Sequence, residues 1–143
     1  MRSFLVATLI FVLSPLGCAG NKRESLSEAL RVFNAGVRWQ RVDWSIGYVP
    51  KEKKPQYLAR RAKRSGIKVT AYDLQSVQVD GKRAKAFVRI QWYSQAHLRV
   101  MVTVVEQEWH FGDKGWQVVE EHRVSGEPCP LLGALWGAVP NAA

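Results

Sequence analysis

The chain has 143 residues, 21 lysines and arginines against 12 acids for a net charge of +9, and 47% apolar residues. That suffices for one domain with a real core, which excludes a disordered chain and makes a second domain unexpected. The three histidines, His97, His110 and His122, lack the close His/Cys spacing of a zinc site, so neither a metal nor a cofactor is expected.

Met1-Arg2 and the uncharged apolar run over residues 4–13 read as an export signal, because the run is too short to span a bilayer and ends in small residues. The stretch Leu13-Ser14-Pro15-Leu16-Gly17-Cys18 resembles the lipobox of bacterial lipoproteins, in which the cysteine becomes lipidated and N-terminal. Gly17 fits its position, whereas Pro15 stands where leucine is usual and Leu16 where a small residue is usual, so ordinary signal cleavage is the alternative. With Ala19 rather than Asp after the cysteine, the resemblance implies a lipoprotein of the outer membrane of a Gram-negative envelope. Residues 1–17 are then signal peptide, 18–24 the lipidated Cys18 and a tether, 25–123 the folded domain and 124–143 an apolar tail rich in Gly, Pro and Ala. Cys129 is left over and is read as a packed thiol, with an intermolecular bridge the alternative.

Ser25-Leu26-Ser27-Glu28 reads as a capping box, after which Leu26, Leu30, Phe33 and Val37 recur at helical spacing, with Gly36 a weak point. A second helix is expected over residues 55–64, stopping at Gly66, with Leu58 and Ala62 inward. Four apolar-rich runs follow over residues 67–123 and predict one antiparallel meander. Ala84, Ala86, Val88, Ile90 and Trp92 alternate with polar or outward residues, the period of a half-buried strand. Asp80-Gly81 predicts a hairpin that sets Val77 opposite Ala84. In the third run Leu98, Val100, Val102 and Val104 share one parity, which would carry Glu106, Glu108 and His110 inward. The expectation is therefore a β-bulge near Val104 and Val105, with Trp109 opposite Val118 and Phe111 opposite Trp116. Tyr72 and Leu74 conflict in the same way with Val77 and Val79, so the sheet should be strongly curved.

Two helices, a bent meander and the hairpin Glu108-Trp109-His110-Phe111-Gly112-Asp113-Lys114-Gly115-Trp116-Gln117-Val118-Val119 resemble the nuclear-transport-factor-2-like superfamily, also called SnoaL-like or ketosteroid-isomerase-like. The resemblance covers about residues 25–123. It implies an α+β fold, a cystatin-like cone of two N-terminal helices packed on a strongly curved four-stranded antiparallel sheet. Enzymes and non-enzymes share that cone, so fold alone does not assign activity.

Superfamily members that isomerise or cyclise use a carboxylate base in the cone with a tyrosine or second acid, and the candidates here are Asp43, Asp73, Tyr48 and Tyr72. Each is weighed against a solvated or capping role, which isolated acids fill more often. Glu106, Glu108, His110 and Glu121 suggest a metal cluster, but on the expected register they form an outward charged face. Phe33, Trp92, Trp109 and Trp116 should line or fill the cone, as core more than as a ligand platform.

Removing residues 1–17 leaves a net charge of +8, concentrated in Lys51, Lys53, Lys54, Arg60, Arg61, Lys63, Arg64 and Lys68 with only Glu52 opposing. An exported chain rarely meets nucleic acid, so this ridge suits anionic lipid headgroups or serves as a solvated face. The tail residues Leu131, Leu132, Leu135, Trp136 and Val139 suggest a segment folded back over the cone, lying on the membrane or docked on a partner. The expected function is a non-enzymatic binding or assembly module with an envelope protein or anionic lipid as partner and a homodimer possible. The alternative is a small-molecule enzyme of isomerase, cyclase or hydratase type.

Overall fold

The computed structural model describes residues 18–62 and 66–131. Helices α1 (Cys18–Arg38), α2 (Val42–Ser45) and α3 (Lys54–Ala62) precede strands β1 (Ile67–Asp80), β2 (Arg83–Ser94), β3 (Val100–Gly112) and β4 (Gly115–Gly126). Single 3-10 turns at Ile46–Tyr48 and Lys51–Lys53 link α2 to α3. The strands form one antiparallel sheet in the order β1-β2-β3-β4, the expected meander. Residues 1–17, read from the sequence as an export signal, and the tail from Leu132 onward lie outside the described residues.

Helix α1 buries Leu26, Ala29, Leu30, Phe33 and Val37, a stripe at helical spacing that packs on the inner face of the sheet. It begins at Cys18 rather than at Ser25, so the segment read as a tether is helical and the capping box lies inside the helix. Glu28 instead pairs with Arg31 at 2.7 Å. Gly36 is required rather than weak: a Cβ there would stand 2.9 Å from the Arg41 carbonyl oxygen and 3.0 Å from the Ser45 Cβ. The chain reverses after Gln40, whose φ of 56° lets Arg41 N–H donate back to the Gly36 carbonyl.

Helix α3 sits about one position round from the expectation. Tyr57 is fully buried, while Leu58 is 45% exposed and Ala62 is exposed. The tyrosine reaches deeper because its hydroxyl donates to Ser45 Oγ at 2.6 Å, so its polar tip is satisfied inside.

The register of β1 on β2 corrects the first hairpin: Asp80 pairs with Arg83 and Val79, not Val77, faces Ala84. Gly81, at φ 57°, opens a two-residue turn with Lys82 where the expectation centred it one residue earlier. Shifts at Thr70 and Gln75 give β1 the two irregularities that its parity conflict demanded.

The phase change expected within β3 is absent. Pairing of β2 with β3 is unbroken, and Met101, Thr103, Val105, Gln107 and Trp109 all face inward. The run Leu98, Val100, Val102 and Val104 points the other way, with Leu98 84% exposed. The extra residues belong to β4, at Val119 and Val124, so Phe111 does face Trp116 and Trp109 does face Val118 before the phase slips. The slip turns Glu120 out and Glu121 in. Gly126, at φ 81°, then brings the chain against β3, where a Cβ would meet the Val102 carbonyl oxygen at 2.2 Å. Beyond it Glu127 N–H donates to that oxygen, and Cys129 and Leu131 are buried.

Candidate functional site

The concave side of the sheet is packed with aromatic rings. Trp109 is fully buried and meets Phe33 edge-on at 5.5 Å, with Tyr48 at 6.3 Å. Trp92 is buried with its indole N–H donating to Thr103 Oγ1 at 2.9 Å, and Trp116 is buried against Phe111 at 5.3 Å. All four aromatic candidates therefore sit in the core.

Beside them lies a polar group of which the sequence singled out Glu121 alone, and that on the outer face, whereas it is buried. Gln107 Nε2 donates to Asn34 Oδ1 at 2.9 Å and to Glu121 Oε2 at 2.8 Å, while Asn34 Nδ2 donates to Gln107 Oε1 at 3.2 Å and to the Leu30 carbonyl at 2.9 Å. Asn34, Gln107 and Glu121 are 2%, 0% and 1% exposed. Only the Val119 bulge brings Glu121 inside, and an alternating pattern gives no sign of it. Burial pushes the Tyr57 hydroxyl pKa up, against the opposing influence of the Arg61 guanidinium 4.9 Å over its ring. Arg61 Nη1 and Trp109 Nε1 are buried without a hydrogen-bond partner. A buried carboxyl group is where catalysis is sought, but this one is engaged by Gln107.

The acids that the sequence singles out lie elsewhere. Asp43 is exposed and ion-paired to Arg41 at 2.7 Å; that hydrogen bond holds its carboxyl below the usual range. Asp73 is exposed and faces Arg89 across the ladder. Tyr72 is half-buried with its hydroxyl 3.5 Å from the Arg31 carbonyl, and Tyr48 is half-buried against Trp109. The structure brings no two of these four together with Glu121.

On the outer face, the bulge that buries Glu121 brings His122 to Glu106 and Glu108, with ligand atoms within 4.8 Å of one another. His110, expected in this group, is exposed toward the hairpin and faces Arg83 and Gln117. Lys85 already occupies the acids, with its ammonium 2.8 Å from Glu106 and 3.5 Å from Glu108, so a divalent cation would have to displace it. The Lys85 hydrogen bond, then the charges of Lys85 and His122, hold the Glu106 carboxyl below the usual carboxylate range, against its partial burial. Its folded-state pKa lies below that of the unfolded chain. The pair's contribution is thus present above the unfolded carboxylate range and is lost as pH falls through the lower folded value. Denaturation midpoints taken from pH 6 to pH 3 should fall less steeply for Glu106→Gln than for the natural chain; equal slopes would remove Glu106 from the acid response.

Two concavities flank α1 and the first hairpin. The larger, about 290 Å³, is lined by Arg23, Leu26, Ser27 and Leu30 of α1 and by Leu74, Val77 and Val79 of β1. The other, about 220 Å³, lies at the hairpin between Gln78 and Lys85. Neither is lined by the buried tryptophans or by Glu121.

The basic ridge is partly consumed by the fold. Lys53 donates to the carbonyl of the bulged Val119 at 2.6 Å, and Arg61 lies over Tyr57. Lys54 and Arg60 are half-buried, Lys51 and Lys68 are exposed, and Lys63 and Arg64 lie outside the described residues.

No protein-family profile and no curated protein matches the chain. Solved structures do. One is an NTF2-like protein from Cytophaga hutchinsonii, with a TM-score of 0.56 and 12% identity over 71% of this chain and 95% of that one. Another is a protein of unknown function with a cystatin-like fold from Nostoc punctiforme, with a TM-score of 0.53 and 10% identity over 74% of this chain and 91% of that one. The chain has the NTF2-like, cystatin-like fold.

Proposed function

We propose that the chain is an exported protein, held by lipid at Cys18 in the bacterial outer membrane, that binds a partner or ligand without chemistry of its own. The observation that carries the non-enzymatic reading is the state of the interior acid. Glu121 is buried, held by Gln107 and absent from the walls of both concavities, whereas general acid–base work needs a group within reach of substrate. Asp43 and Asp73, exposed on the surface, do not supply the dry pocket that an isomerase, cyclase or hydratase requires.

The anchor rests on the lipobox resemblance. Among the described residues no helix is long and apolar enough to cross a membrane, and two acyl chains on one cysteine hold stably where a single chain exchanges. Lys51 and Lys68, exposed on the ridge, complement anionic headgroups, each worth about 1 kcal/mol near such a surface.

Fractionation of cells carrying Cys18→Ser tests the reading. The variant should move from the membrane to the soluble envelope fraction or accumulate as an unprocessed precursor, while Cys129→Ser stays membrane-bound. The soluble form should still prefer anionic over neutral vesicles, and lose that preference as salt rises. A Cys18→Ser chain that stays processed and membrane-bound would move the anchor to the apolar tail.

A further inference from the structure

We propose that the groove between α1 and the outer half of β1 binds the chain of an anionic single-chain amphiphile, a medium-chain carboxylate, with Arg23 meeting its head group. The inference rests on the binding-module reading and is independent of any lipid on Cys18.

The four lining residues of α1 stand at positions i, i+3, i+4 and i+7, one stripe running about 10 Å along the helix with Arg23 at its N-terminal end and Leu30 at the other. The opposite wall is built by a bulge. The extra residue at Gln75 carries Leu74 onto the same face as Val77 and Val79. On β2, Val79 and Val77 face Ala84 and Ala86, side chains too small to close the space. Leu74, Val77 and Val79 are consequently 42%, 37% and 38% exposed although they share the sheet face that elsewhere forms the core.

Shape and charge together select the occupant. At about 290 Å³ the groove lies just under the usual range for small-molecule sites, which suits one hydrocarbon chain better than a fused ring system. Its lining is apolar except for Ser27 and Arg23, and it includes no acid. A guanidinium at one end of an apolar trench complements a carboxylate head, to which it can donate two parallel hydrogen bonds. A neutral lipid would forgo that contact.

Titration calorimetry on the full chain carrying Cys18→Ser, which removes any attached lipid, tests the assignment with octanoate, decanoate and dodecanoate below their micelle concentrations and with 1-decanol. One carboxylate should bind per chain, with affinity rising by at most roughly fourfold per added methylene and levelling off once the chain outgrows the stripe of about 10 Å. Arg23→Ala should weaken decanoate tenfold or more and leave 1-decanol unchanged. The double variant Val77→Lys and Val79→Lys, at positions already part-exposed and so compatible with folding, should abolish both while the circular dichroism spectrum is retained. Absence of saturable binding, or equal binding by the double variant, would overturn the assignment. So would a dimer in sedimentation that the double variant dissociates, since a second copy would then cover the groove. Loss of the lipid anchor reading would show in the Cys18→Ser fractionation and not here, and turnover of an added substrate would remove the binding-module reading whatever this titration showed.

Discussion

Trp109→Ala is expected to lower folding stability by about 3 to 5 kcal/mol, the cost of deleting a large buried aromatic side chain whose cavity the surroundings cannot close. Trp109 is fully buried, packs edge-on against Phe33 and lies beside Tyr48, so its removal opens space beneath α1 and takes from Phe33 the nearer of its two aromatic partners. Relaxation is restricted because Trp109 sits on β3, paired on both sides, with Ala84 opposite on β2 and Val118 on β4. Trp109→Phe should cost less, since it keeps most of the apolar volume and removes an indole N–H that has no partner. Guanidinium denaturation of the two variants measures both effects. A loss below about 1 kcal/mol for Trp109→Ala would mean that the side chain borders an open cavity.

Gln107→Leu is expected to cost about 3 kcal/mol for a different reason. The substitution adds no cavity of note, but it removes the donor to Glu121 and both bonds with the Asn34 amide, stranding polar groups that are at most 2% exposed. A buried group left without a partner costs about 1 to 3 kcal/mol, more when it is charged. If the network is purely structural, replacing all three members, as Asn34→Leu, Gln107→Leu and Glu121→Met, should recover most of the loss, because apolar groups of similar volume leave none of the bonds among these three side chains half-made. Urea denaturation of the single and triple variants decides this. A triple variant as unstable as Gln107→Leu would show that Glu121 is held in place by contacts that the network does not account for.

The elements were legible wherever a period persisted. The even positions of β2 from Ala84 to Trp92 and the α1 stripe from Leu26 to Val37 each bury one face, because apolar residues repeated at a fixed period are brought to one side of the element and gain by leaving water together. The final hairpin was legible too, because Gly112 and Gly115 bracket a turn that sets Phe111 against Trp116. Parity failed in β3, where a run of valines faces outward and the core takes Thr103 and Gln107. Those polar residues are tolerated inside because each finds a partner: Thr103 accepts from Trp92 and donates to the Glu127 carbonyl, and Gln107 joins Asn34 to Glu121. Such partners lie up to 73 residues away in the chain, beyond any local pattern.

By itself the sequence determined the order of the two longer helices and the four strands, the meander and the identity of most core side chains, since these follow from the spacing of apolar residues and from turn chemistry, whereas the short α2 and the 3-10 turns between them left no such pattern. Tertiary structure alone decided which acid is inside, which acids gather on the outer face and where a concavity remains. Each of those outcomes follows from a single extra residue in an edge strand. One at Val119 reverses the direction of Glu121 and delivers His122 to Glu106, and one at Gln75 carries Leu74 to the groove wall. A side chain's direction in a strand changes with every residue, so one insertion re-aims all that follows it, and the two strands that carry the insertions, β1 and β4, both pack on α1, a contact that the strands' own composition does not announce.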